Sequence, residues 1–135
     1  MTYTILEHTA DVRLLVEGGT LAELFAEGLR GMMEVLKPEG KGGTAETQRR
    51  IHLESASRTA LLVDFLNEAL CLAQTHRESY AAVTFQSISE TRLDAALRGR
   101  EVKSFGEDVK AVTYHEAQIR ETAKGTLETM LVLDI

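Results

Sequence analysis

The sequence predicts an α+β domain, a two-layer sandwich in which one mixed, largely antiparallel sheet of six or seven strands packs against two helices. Three observations lead there. Two long segments repeat apolar residues at helical spacing, most of the remainder alternates in strand fashion, and the helices interrupt the strand order. The 135 residues suit one domain, taken as 1–135.

The first helix is expected over 20–37. Thr20 and Glu23 form a capping box, and Leu21, Leu24, Phe25, Leu29, Met32 and Leu36 make the apolar stripe, with Glu23, Glu27, Arg30 and Glu34 on the other side. The stretch Pro38-Glu39-Gly40-Lys41-Gly42-Gly43 after it reads as a flexible loop. The second helix is expected over 57–76, with Ser57 as N-cap and Leu61, Leu62, Phe65, Leu66, Ala69, Leu72 and Ala73 as its stripe. Asp64, Asn67, Glu68 and Cys71 fall on a flank, and His76 stands where a cation suits the helix C-terminus.

Strands are expected at 13–17, 48–54, 82–90, 92–100, 109–115, 117–121 and 127–133. Ser89-Glu90-Thr91 turns the third into the fourth, and Lys124-Gly125 closes a hairpin. Along 82–90, alternation sets Val83, Phe85 and Ser87 opposite Thr84, Gln86 and Ile88.

Charge and composition exclude several classes. Fifteen Lys and Arg against 21 Asp and Glu give a net charge of -6, which argues against direct strong nucleic-acid binding. One cysteine, Cys71, rules out an internal disulfide; on an apolar helix it is expected to serve packing. No apolar run approaches the roughly 18 residues of a membrane span, and no signal peptide is evident, so a cytoplasmic location without membrane contact is expected. The Walker loop, Gly-x-Gly-x-x-Gly, Cys-x-x-Cys, Gly-x-Ser-x-Gly and His-Glu-x-x-His motifs are missing.

Four polar segments stand out. In His8-Thr9-Ala10-Asp11, His8 and Asp11 either ligate one divalent ion, or Asp11 caps a turn while His8 bonds the backbone. In Val109-Lys110-Ala111-Val112-Thr113-Tyr114-His115, alternation puts Lys110, Val112 and Tyr114 on one face. Lys110 there meets a phosphate or acidic partner, or simply lies on an exposed face; His115 is a ligand or a structural histidine. At Leu133-Asp134-Ile135, Asp134 and a terminal carboxylate on Ile135 supply hard oxygens for calcium or magnesium, unless the end is merely solvated. On the second helix Asp64 and Glu68 share a face as a site or as a solvated flank.

Taken in order, these segments resemble the archease family almost end to end. The likeness rests on His8-Thr9-Ala10-Asp11-Val12, on Leu21-x-x-Leu24-Phe25, and on Leu61-Leu62-Val63-x-Phe65-Leu66-Asn67-Glu68-x-Leu70. It continues through Gly99-Arg100, Val109 to His115, and Leu133-Asp134-Ile135. The resemblance implies a non-enzymatic accessory protein of RtcB-type RNA ligases in tRNA splicing and RNA repair. Such proteins promote guanylylation of the ligase and multiple turnover. It also implies a divalent-metal site, calcium foremost with magnesium or manganese as alternatives, carried here onto Asp11, Asp134 and Ile135. His8, Glu68, Lys110 and His115 follow as further functional residues, with no catalytic residue. A chaperone-like modulator of a tRNA methyltransferase is the alternative, and a metal-dependent phosphoester hydrolase using Asp11, Asp134 and His8 a more distant one. Two departures are visible. Ser55-Ala56-Ser57-Arg58 lacks the acidic residues many relatives have there, and Ala69-Leu70-Cys71-Leu72 replaces an aromatic or leucine pair.

Overall fold

The computed structural model describes residues 1–7, 11–43 and 45–135. Chain order is β1 (Thr2–Glu7), β2 (Asp11–Gly18), α1 (Leu21–Leu36), β3 (Pro38–Glu39), β4 (Glu46–Glu54), α2 (Arg58–His76), β5 (Glu78–Ile88), β6 (Arg92–Glu101), β7 (Ser104–Phe105), β8 (Ala111–Thr113), β9 (Arg120–Glu121) and β10 (Leu127–Asp134). The α+β class holds, but among the described residues the expected single sheet of six or seven strands is replaced by three sheets. One has the order β1-β2-β10-β8 with β9 also on β10, one is β4-β6-β5, and one is the short pair β3-β7. Every pairing is antiparallel. Hairpin pairs such as β5-β6 follow from local turns, whereas β2-β10 joins strands more than a hundred residues apart and leaves no local trace in the sequence.

Both helices begin where their caps predict. The Thr20 hydroxyl accepts the Glu23 amide, and the Glu23 carboxylate accepts the Gly19 amide at 2.9 Å. The Ser57 hydroxyl accepts the Ala60 amide. Each helix ends on a left-handed residue, Lys37 (φ 52°) and Arg77 (φ 54°). Gly18 is fixed by space: a Cβ there would meet the Leu24 backbone nitrogen at 2.4 Å.

The core lies where both helices reach both large sheets. Leu14, Val16, Leu131 and Leu133 face in from the five-stranded sheet, and Ile51, Tyr80, Leu93 and Leu97 from β4-β6-β5. Phe25, Phe65 and Phe85 join α1, α2 and β5, with ring centroids 5.6–6.3 Å apart. Such pairs contribute about 0.5–1.5 kcal/mol each beyond the area they bury.

Several local expectations are corrected. The strand at 109–115 shrinks to Ala111–Thr113, so strict alternation fails and Val109 and Val112 are both buried. The strand at 117–121 shrinks to Arg120–Glu121, though the hairpin forms, with Gly125 at φ 84°. The expected loop at 38–43 contains β3. β5 carries register shifts at Tyr80/Ala82 and Phe85/Ser87; the second inserts one residue, so Ser87 pairs with outward Asp94 and Ile88 with inward Leu93. Cys71 is exposed, its sulfur 3.9 Å from the Thr75 hydroxyl, and does not serve packing. Glu27, expected outside, is buried and held by Arg30 at 2.5 Å. No helix among the described residues is long and apolar enough to cross a membrane.

Candidate functional site

The antiparallel register of β2 and β10 brings the two ends of the sequence together. Leu133 pairs with Val12 and Asp134 with Asp11, and on the far side of β10 Asp134 pairs with Ala111 of β8. Buried Val12, Leu14 and Val16 set the inner face of β2, so Asp11 and Arg13 belong to the outer face. Asp11 is half-buried and Asp134 exposed. Residues 11 and 134 therefore stand opposite one another at the same end of the sheet.

Lys110 meets this pair through its backbone. Its amide donates to the Asp134 carbonyl at 2.7 Å, which extends the β10-β8 edge by one bond and puts residue 110 beside residue 134. The Lys110 side chain is exposed, outside the strand, and not on a shared face with Val112 and Tyr114.

Side chains of α2 hold the 109–114 segment in place. Asn67 donates Nδ2–H to the Val112 carbonyl and accepts the Val112 amide at Oδ1, both at 2.8 Å. Gln74 donates to the Val109 carbonyl at 2.7 Å. The Tyr114 hydroxyl donates to Asp64, whose other oxygen accepts Ser55 at 2.6 Å. That bond and partial burial push the Tyr114 phenol pKa up. Asp64 is therefore a positioning group. Glu68 is exposed and makes no hydrogen bond or ion pair among the described residues. His115 is exposed, and its amide donates to the Thr113 hydroxyl at 3.3 Å. His8 lies outside the described residues.

The structure thus brings Asp11, Asp134, Ile135 and residue 110 to one sheet end, while Glu68 sits on the helix that braces them. Asn67 is visible in the sequence as a polar residue on a flank and within the motif of the second helix, but nothing there marks it, or Gln74, as a brace for 109–114. Arg13 carries no sign either; it lies two residues from Asp11 on the same face and pairs with Glu116 at 3.3 Å. Among the described residues no group of three or more His, Cys, Asp and Glu converges at metal-holding distance.

The sequence model of the Archease protein family (MTH1598/TM1083) matches residues 3–135. The chain belongs to the archease family. It is 32% identical to Protein archease of Methanosarcina acetivorans, over 98% of this chain and 95% of that protein. The solution structure of Methanobacterium thermoautotrophicum protein 1598 superimposes with a TM-score of 0.72 at 26% identity, covering 98% of each chain. The crystal structure of an archease, possible chaperone, from Thermotoga maritima shares the fold at a TM-score of 0.66 and 21% identity, covering 96% of this chain and 94% of that one. Archease family membership accounts for the motif order along the chain, and the β2-β10 register explains why the first and last of those motifs belong together.

Proposed function

We propose that this chain is a non-enzymatic accessory protein of an RtcB-type RNA ligase in tRNA splicing and RNA repair, acting from the acidic end of its five-stranded sheet. The observation that carries the reading is the in-register pair Asp11–Asp134, with Lys110 bonded beside it. Ligases of this type work with a divalent metal and a nucleoside triphosphate. A rigid sheet end bearing carboxylates and a neighbouring ammonium group is suited to reach such a pocket.

The donor chemistry fits a divalent cation. Asp11 and Asp134, with Ile135 beside them, offer the hard oxygens that calcium, magnesium and manganese take. Asp11 and Asp134 would hold such a cation, which would supply positive charge for phosphate oxygens. Lys110 steers the phosphates or the ligase surface. Asn67 and Gln74 keep the Lys110 segment seated. Glu68 and His115 stand as contacts for the ligase.

The name possible chaperone, given to the Thermotoga maritima protein, and a role toward a tRNA methyltransferase frame the alternative. The only large apolar side chains exposed among the described residues are Met1, Leu6 and Tyr114, little for a surface that captures unfolded clients. The test is ligation by a cognate RtcB-type ligase with GTP and Mn²⁺, substrate in excess. Many rounds per ligase with this protein and about one without it are expected. Equal turnover in both would put the methyltransferase or chaperone role first.

A further inference from the structure

The acidic chain carries a cationic trough on a different sheet. The inner face of β4-β6-β5 is fixed by Ile51, Leu93, Ala95 and Leu97, so β6 turns Arg98 and Arg100 outward, and β4 turns Arg50 outward. Register pairs Arg50 with Ala96, one same-face step from Arg98, so the three guanidinium groups run diagonally along the sheet. None has an ion-pair partner among the described residues, although Glu46 stands opposite Arg100 in the register. The carboxylates at the other end of the face are engaged: Asp94 by His52 at 2.7 Å and Ser87 at 3.2 Å, Glu54 by Arg92 at 3.7 Å.

The surface beside Arg98 and Arg100 is concave. A cavity of about 710 Å³ is lined by Ser79, Ala81, Ala82, Gly99, the two arginines and Glu46. Its shape comes from the irregularity at Tyr80/Ala82 and from Gly99, where a Cβ would lie 1.9 Å from the Ser79 carbonyl oxygen. Small side chains, Ser79, Ala81 and Ala82, line it beside the two arginines.

We propose that this trough binds the phosphodiester backbone of single-stranded RNA. Successive outward residues of a strand lie about 6.6 Å apart, so Arg98 and Arg100 offer a repeating row of cations to a repeating anion. An acidic protein partner is the poorer fit. Protein interfaces centre on large apolar anchors, and apart from the arginines and Glu46 the trough is lined only by alanine, glycine and serine. The net charge of -6 does not oppose contact here, because charges beyond about 8 Å are largely screened at physiological salt. It keeps the binding weak and salt-sensitive, in keeping with a composition that argues against strong nucleic-acid binding. Lys41 and Lys103, near the end of α2, border another concavity together with His76, Arg77 and Glu101, and the lysine variant below tests it.

The test is a titration of a labelled oligouridylate of about 10 nucleotides with the full chain over a range of salt. Three proteins are compared: wild type, the triple variant Arg50→Gln/Arg98→Gln/Arg100→Gln, and the double variant Lys41→Gln/Lys103→Gln. All five positions are exposed, and melting curves check that each variant folds. Binding by wild type and the lysine variant is expected, with at least a tenfold loss in the triple variant. Its slope of log affinity against log salt should be shallower by about 2, since each single-strand phosphate contact contributes about 0.7. Binding unchanged in the triple variant, binding lost instead with the lysines, no binding by wild type at low salt, or displacement by polyglutamate better than by unlabelled RNA would each overturn the assignment.

Discussion

Glu78 shows what a single residue can decide in this fold. It is 2% exposed at the start of β5, and Arg49 grips it through two N–H bonds of 2.9 Å while Tyr80 donates to it at 2.8 Å. The Arg49 bonds hold its carboxyl below the ordinary value of 4.5, against the opposing effect of burial; burial and the carboxylate in turn push the Tyr80 phenol up. A carboxyl whose pKa falls on folding stabilises the fold above the ordinary carboxylate range, and loses that contribution as pH drops through the lowered value. Acid unfolding followed by circular dichroism should therefore be less steep below pH 4.5 in Glu78→Gln than in wild type. Arg49→Met, which strands the buried carboxylate, should cost about 3 kcal/mol in urea unfolding at neutral pH. A change below about 0.5 kcal/mol would mean that the Glu78 carboxylate is not left buried and uncompensated when Arg49 is removed. Neither partner was legible as special in the sequence. Arg49 and Arg50 are adjacent, and only strand register decides that one enters the core edge while the other faces outward on the side of the sheet that carries Arg98.

At the scale of elements, the helices were readable and the small strands were not. Thr20, Glu23 and Ser57 announce their caps chemically, and the apolar stripes repeat often enough to override noise. β1 carried a signal in Tyr3 and Ile5, which face inward opposite Val16 and Leu14, yet it was not among the expected strands. β3 and β7 are two residues each and exist through pairing alone, which no local pattern encodes. The 109–114 segment looked like a long strand because its residues favour one. In the fold, side chains of α2 take over the hydrogen bonds a neighbouring strand would otherwise make. Asn67→Ala removes both bonds to Val112 and should destabilise by about 2 kcal/mol. Amide exchange should accelerate first at residues 110–113 while the β4-β6-β5 amides keep their protection. Uniform acceleration across the chain would show that Asn67 supports the whole core rather than this segment.

For the whole molecule, the fold reads as a means of placing the two ends of the sequence side by side. The acidic motifs near residues 11 and 134 were each visible on their own; their opposition in one register was not, because it depends on a pairing that spans nearly the whole chain. The archease likeness joined them by motif order, and the sheet supplies the physical reason. If the paired carboxylates are the working end, changing them must spare the fold, since Asp134 is exposed at a strand end and contributes to the sheet through its backbone. The most direct measurement is multiple-turnover ligation by the cognate ligase with GTP and Mn²⁺, stimulated by wild type or by Asp134→Asn at matched melting temperature. Asp134→Asn is expected to lower stimulation on the order of a hundredfold, the scale on which loss of one preorganised electrostatic group acts, with the variant still folded. Stimulation by Asp134→Asn equal to wild type would remove the acidic sheet end from the mechanism.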